Sequence, residues 1–179
     1  MELIEKAEKI AREAHEGQLR KTDGSPYIDH PIAVADIVKQ HGFSDAVVAA
    51  ALVHDVLEDT SMTEDELRDA LGDEVVAIVA AVSEDKDLPW EERKQQYVEQ
   101  VAAAGESVWA VSVADKIHNA QSIIDYHKVA GAALWEKFNR GKEKKLWIEN
   151  LLLEKLKEKW NHPMLKEYSE LLTQIELLA

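Results

Sequence analysis

Cysteine is missing altogether from the 179 residues. That excludes disulfides and thiolate metal ligands, and it leaves His, Asp and Glu to hold any metal ion. Proline and glycine are scarce as well, four and seven, and they are scattered rather than clustered. No low-complexity linker and no repeat of fixed period shows, so a single domain over residues 1–179 is expected. No apolar run approaches the roughly 18 residues of a membrane span. The first segment, MELIEKAEKIAREAH, lacks the apolar centre of a signal peptide, and a cytoplasmic protein with no membrane association is expected. Positive charge is the last shortage: 21 Lys and Arg stand against 35 Asp and Glu, a net charge of −14. Such a surface repels polyanions and argues against a nucleic-acid binder. It leaves room for a small phosphorylated substrate, met by a local cluster such as Arg20-Lys21 or Lys142-Glu143-Lys144-Lys145.

What is present is helical periodicity, with apolar residues at i, i+3 and i+4 rather than in alternation. The pattern predicts an all-α protein. A first helix covers 2–16, with Gly17 at its end, and a turn-rich loop runs from Arg20 to Asp29. Pro31 suits the first turn of a helix that continues to about Gln40. Ser44 or Asp45 caps a buried helix continuing through AVVAAALVHDVLED, and Thr63-Glu64-Asp65-Glu66 is a capping-box pattern for a short helix that Gly72 stops. Further helices are expected from Asp73, over about 89–104, from a Ser107 cap to Tyr126, near 131–139, over about 142–160 and after Pro163.

The stretch Leu52 to Thr60, LVHDVLEDT, places one imidazole and three carboxylates at the end of a segment built for burial. On a continuous helix His54, Asp55, Glu58 and Asp59 form one patch at i, i+1, i+4 and i+5. The C-terminal end of a helix dipole disfavours negative charge, so a cation is expected nearby. Two other places supply matching groups. His30 sits before Pro31 at a loop-to-helix junction, where a packing or capping histidine is the plain alternative. Asp115, Asn119 and Ser122 share one face of the otherwise apolar VWAVSVADKIHNAQSII, where an ion pair from Asp115 to a lysine is the plain alternative. Two imidazoles and two carboxylates from three elements, His30, His54, Asp55 and Asp115, suit a borderline divalent ion such as Mn²⁺, Fe²⁺, Co²⁺ or Zn²⁺.

The order His30, His54-Asp55 and Asp115 resembles the HD-domain metal-dependent phosphohydrolases, which are helical bundles built around an ion. The words AHEGQLRKTDGSPYIDHPIAVA, AALVHDVLEDTSMTEDEL and VADKIHN are similar to the hydrolase domain of RelA/SpoT proteins. SEDKDLPWEERKQQYVEQ is similar to the stand-alone small alarmone hydrolases. The resemblance covers about residues 3–128; residues 129–179 are a helical C-terminal part that does not match closely enough to transfer base-recognising residues. It implies that His30, His54, Asp55 and Asp115 hold the metal, with Mn²⁺ the usual ion. Glu58 and Asp59 are implied to handle protons and position the attacking water, and Asn119 to face the scissile phosphate. Arg20 and Lys21 are implied to contact the nucleotide, with Lys116 and Ser122 on the same segment. Position 116 is Lys where long RelA/SpoT enzymes commonly carry Arg, and 122 is Ser where Thr is frequent.

The implied reaction is hydrolysis of the 3′-pyrophosphate of guanosine tetra- or pentaphosphate, (p)ppGpp, to GDP or GTP and pyrophosphate. A second reading keeps the site and changes the substrate to another nucleotide or NADP(H), with Trp135 and Trp147 able to stack on a different base. A third is a non-catalytic interaction protein that uses the apolar stripe Leu146, Trp147, Ile148, Leu151, Leu152, Leu153 and Leu156. Nothing in the sequence specifies the oligomeric state.

Overall fold

The computed structural model describes residues 2–21, 23–138 and 140–179. Apolar spacing becomes helix nearly everywhere: α1 (Glu2–Ala14), α2 (Asp29–Gln40), α3 (Asp45–Leu52), α4 (Val56–Asp59), α5 (Glu64–Leu71), α6 (Asp73–Val82), α7 (Trp90–Ala103), α8 (Glu106–Ala130), α9 (Gly141–Lys157) and α10 (Pro163–Leu177). A 3₁₀ turn, Gly131–Lys137, joins α8 to α9. Its expected extension to Asn139 lies outside the described residues. Among the described residues there is no strand. One isolated bridge, Leu19 to Pro26, closes the loop before α2. Arg20 N–H donates to the Ser25 carbonyl at 2.8 Å and Tyr27 N–H to that of Gln18 at 2.9 Å, which fixes where Arg20 and Tyr27 leave the backbone. No helix is long and apolar enough to cross a membrane among the described residues.

Two local signals behave as their chemistry dictates. Thr63 and Glu66 close a reciprocal capping box at the start of α5. Gly72 then takes φ +87°, a left-handed conformation that ends α5 and lets α6 start at the next residue. One expected cap is displaced: α8 starts at Glu106 with Gly105 at its N-cap, not at Ser107.

The larger departure falls in the stretch that carries the acids. The buried helix ends at Leu52, Val53 to Asp55 form a turn, and the single turn α4 follows. His54 Nδ1 lies 2.7 Å from the Ala51 carbonyl, the acceptor an unbroken helix reserves for the Asp55 N–H. The imidazole competes with the backbone for that oxygen and the ladder restarts at Asp55, whose carbonyl accepts from Asp59 N–H at 2.9 Å. His54, Asp55, Glu58 and Asp59 therefore do not lie along one continuous helix face.

Helix α8 forms the centre. It packs against α2, α3, α6, α7 and α10, and it is apolar on most sides, as a helix with neighbours all round must be. Ala110, Ala114 and Ala120 are buried to 4 % exposure or less, and their small size lets neighbouring backbones approach. Helix α3, almost wholly buried, lies between α1, α2 and α6 as well. Ile148, Leu152, Leu153 and Leu156 of α9 are buried and α9 packs on α7 and α10, so the expected stripe is used by the chain's own core.

Candidate active site

The second residue of α2, the turn between α3 and α4, and the middle of α8 deliver the four expected metal ligands to one place. His30 Nε2 lies 3.1 Å from Asp115 Oδ1 and 3.7 Å from Asp55 Oδ2. His54 Nε2 lies 3.1 Å from Asp55 Oδ2 and 3.8 Å from Asp115 Oδ1. Ligand atoms of His30, His54 and Asp115 are all within 4.8 Å of one another. The break after Leu52 makes this possible, since it turns the adjacent His54 and Asp55 toward the same point.

The donor set fits a divalent cation. His54 Nδ1–H donates to the Ala51 carbonyl, which puts the lone pair on Nε2. That atom is buried and has no hydrogen-bond partner, although two carboxylates stand within 4 Å. Burial opposes a charge on His54, yet Asp55 and Asp115 outweigh it and pull its pKa well above the ordinary histidine value. The attraction those carboxylates exert on a proton there is the attraction they offer a cation. Burial also works against the Asp115 charge, and Lys116, His30 and His54 more than offset it and hold its pKa well below the carboxylate range. The expected ion pair from Asp115 to a lysine is also present: Lys116 Nζ bonds Asp115 Oδ2 at 2.8 Å, while Oδ1 faces the histidines. The same residue is thus a partnered carboxylate and a candidate ligand.

Three supporting groups were not among the expected site residues. His118 Nδ1 lies 2.7 Å from His30 Nδ1 and orients that ring; burial and then His30 lower its pKa to about 4, so it is neutral at pH 7. Asp115 and His118 lie one helical turn apart on α8, a spacing visible in the sequence. Tyr27 donates its hydroxyl to Asp55 Oδ2, and burial, with Asp55 next, keeps the phenol protonated. Lys86 Nζ bonds the Glu58 carbonyl and Asp59 Oδ1, both at 2.6 Å, supplying one cation to the acidic helix end.

Glu58 and Asp59 fall on different sides of the ligands. Glu58 lines a small pocket of about 100 Å³ with His54, Asp55, Tyr97, Asp115 and Lys116. Its Oε1 accepts the Glu84 N–H at 2.8 Å. Burial pushes its carboxyl up to about 7, Asp55 and Glu84 adding to the rise against that hydrogen bond. Asp59 lines an open groove of about 570 Å³ with Arg20, Lys21, Tyr27, His30 and Asn119. Asp55 and Asp115 border both. In the groove Arg20 Nη2 donates to Asn119 Oδ1 at 3.1 Å and Ser122 Oγ at 3.4 Å, and Asn119 Nδ2 donates to Asp115 Oδ1 at 2.5 Å. Of the expected residues, Lys116 faces away from the groove, onto the Tyr97 ring at 5.0 Å. Trp135 donates to the Ala179 carbonyl and Trp147 packs on Trp90, so neither is a bare stacking platform.

Two histidines and Asp115 drawn to one point of a helical bundle, with Asp55 beside both imidazoles, form a candidate divalent-metal centre. The chain belongs to the HD-domain family, which it matches over residues 7–136. It is 40% identical over 124 residues to the human guanosine-3′,5′-bis(diphosphate) 3′-pyrophosphohydrolase MESH1, covering 68% of this chain and 69% of that protein. It is 41% identical over 117 residues to the MESH1 protein of Danio rerio, covering 64% and 65%. With the 3′-pyrophosphohydrolase of Haemophilus influenzae it shares 41% identity over 120 residues, 64% of this chain and 18% of that longer protein. The match thus spans about two-thirds of the shorter relatives and under a fifth of the longer one. Among solved structures, a Listeria monocytogenes EGD-e protein is 37% identical with a TM-score of 0.77, covering 82% of this chain and 97% of that one. A metazoan ortholog of SpoT described as hydrolysing ppGpp superposes with a TM-score of 0.83 at 24% identity, covering 99% and 98%; that likeness concerns the fold and extends through the C-terminal helices.

Proposed function

We propose that the chain hydrolyses the 3′-pyrophosphate of guanosine tetra- or pentaphosphate, releasing GDP or GTP and pyrophosphate. The observation that carries this reading is the convergence of His30, His54 and Asp115, with Asp55 beside both imidazoles, between a pocket holding Glu58 and a groove holding Arg20 and Asp59. The curated relatives at about 40% identity, which are named for this activity, support it. Residues 1–179 are read as one catalytic unit, supported by the packing of α8 on both α2 and α10.

His30, His54, Asp55 and Asp115 would hold the ion, with Mn²⁺ proposed and Fe²⁺, Co²⁺ or Zn²⁺ compatible with a nitrogen and oxygen donor set. When bound, such an ion acidifies water and polarises a phosphoryl oxygen. The chain's own groups supply the rest. Glu58, with its pKa raised to about 7, is poised to accept the proton of the attacking water. Attack at phosphorus breaks the bond to the ribose 3′ oxygen on the opposite side, where the Asp59–Lys86 pair delivers the proton that oxygen needs. Arg20 and Lys21 neutralise the phosphates in the groove. Asn119, tied to both Arg20 and Asp115, sets the spacing between substrate and ion, and Ser122 fixes the Arg20 fork. Lys116 holds the outer oxygen of Asp115.

The test is a panel of nucleotides offered to the Mn²⁺-loaded protein, scored for pyrophosphate against orthophosphate. Release of pyrophosphate from guanosine 3′-pyrophosphates is expected. Turnover confined to NADP(H) or to 5′-monophosphates would replace the substrate, and a protein that takes up no divalent ion would remove the enzyme.

A further inference from the structure

One buried imidazole has no part in the proposed reaction. His15, just past the end of α1, is 3% exposed and is not a candidate ligand, and its Nε2 is buried without a hydrogen-bond partner among the described residues. Its tautomer follows from its neighbour. Gln18 Nε2 faces the Asp59 carbonyl at 3.4 Å, so Gln18 Oε1 faces His15 Nδ1 at 2.9 Å and Nδ1 carries the proton. The lone pair then sits on Nε2 in the interior, and an acceptor left unpaired there costs stability. Phenylalanine would fill the space without that cost, so packing does not account for an imidazole. The hydrogen bond to Gln18, which fixes the plane of the ring, does. That plane meets Tyr27, with ring centroids 4.7 Å apart and an angle of 38°. The Gln18 carbonyl also accepts the Tyr27 N–H at 2.9 Å, so Gln18 ties the pair together at both backbone and side chain.

We infer that His15 is a positioning residue for the candidate metal centre: through Tyr27 it fixes the Asp55 carboxylate, so that the end of α1, which offers none of the candidate ligands, sets the affinity and geometry of the site. Tyr27 touches two of those ligands at once. Its ring meets the edge of His30 at 5.8 Å and 71°, and its hydroxyl donates to Asp55 Oδ2. That oxygen is the one that lies 3.1 Å from His54 Nε2 and 3.7 Å from His30 Nε2. Asp55 needs such a support, because it stands where the helix is interrupted. The four residues of α4 that follow it are too few to hold their own position by backbone hydrogen bonds. The inference rests on the metal centre of the proposed reaction and is independent of its substrate.

The experiment titrates Co²⁺ alone into the metal-stripped full chain and follows its visible absorption, which reports both affinity and ligand geometry. His15→Leu, Tyr27→Phe and the double variant complete a cycle, and melting of each metal-free protein reports that it is folded. Tyr27→Phe is expected to weaken Co²⁺ about 10–100-fold and His15→Leu about tenfold, each displacing the absorption bands. The double variant is expected to bind within about twofold of Tyr27→Phe, since His15 then has no hydroxyl to position. If His15→Leu fails to fold, Gln18→Leu, which frees the His15 ring from a half-buried position, runs round the same cycle with the same expectations. Unchanged affinity and bands in His15→Leu, with only the metal-free melting temperature lowered, would make His15 a packing residue and overturn the inference. So would a tenfold loss that persists undiminished in the Tyr27→Phe background. In both cases the metal centre stands. A chain that takes up no Co²⁺ removes the metal centre and the inference together, whereas failure to turn over guanosine 3′-pyrophosphates touches neither.

Discussion

Replacing Glu58 by Gln removes a carboxyl whose pKa burial pushes up to about 7 without changing the shape of its pocket. A base is active when deprotonated, so kcat/KM should climb about tenfold per pH unit below that pKa and level off above it. At pH 5, two units lower, about one molecule in a hundred carries the active form. A bound divalent cation favours the carboxylate and draws the bend below 7. The Gln variant should lose about 10²–10⁴-fold in rate at neutral pH while binding Mn²⁺ as before, and its residual activity should lack the acid limb. The same substitution should stabilise the metal-free protein. The raised folded pKa means that the native state retains a proton that the unfolded chain releases above its ordinary value of 4.5, so stability falls as pH rises from about 4.5 to 7. Gln escapes that fall, a gain of about 1–2 kcal/mol at pH 8 after allowance for solvent screening, or roughly 2–8 °C in Tm, with no gain at pH 4. A Glu58→Gln protein that keeps its acid limb and most of its rate would refute the assignment of Glu58 as the base.

Other perturbations separate the metal from its supports. His54→Ala and Asp55→Ala should abolish Mn²⁺ uptake, measured by metal analysis, together with turnover. His118→Phe removes the partner of His30 Nδ1 but no ligand, and should weaken Mn²⁺ about 10–100-fold by titration, with activity recovered at high metal; unchanged affinity would make His118 a packing residue. Leu156→Ala, at a site with 0 % exposure, should cost about 2–5 kcal/mol in urea denaturation, since α9 then loses part of its hold on α7 and α10.

The helices were legible because their faces are apolar at the right spacing, and the capping box at Thr63 and the stop at Gly72 fell where side-chain chemistry puts them. The interruption at Val53 to Asp55 was not legible. Periodicity counts residues such as Leu52 and Val53 as more helix, and it does not register that the His54 ring can take the Ala51 carbonyl from the backbone. The candidate ligands His30, His54, Asp55 and Asp115 were readable as an inventory and through family words, while their approach to one another depends on how α2 and α8 pack. Tyr27, Lys86 and the place of His15 were hidden for a related reason. His15 and Tyr27 stand on either side of a turn-rich loop, and a single histidine at a helix end reads as solvated until folding brings the two rings together.

Helix α2, the turn after α3 and the middle of α8 contribute the candidate ligands, which lie far apart along the chain. An ion held between them would act as a non-covalent cross-link in a chain that has no cysteine to make covalent ones. Binding to the native state alone raises stability by RT ln(1 + [M]/Kd), about 2.7 kcal/mol at a hundredfold excess over Kd. Chelation should therefore lower the melting temperature of the whole bundle, and His118→Phe should narrow the gap between loaded and stripped protein, so that the heat needed to unfold the chain becomes a gauge of how well its reaction centre is assembled.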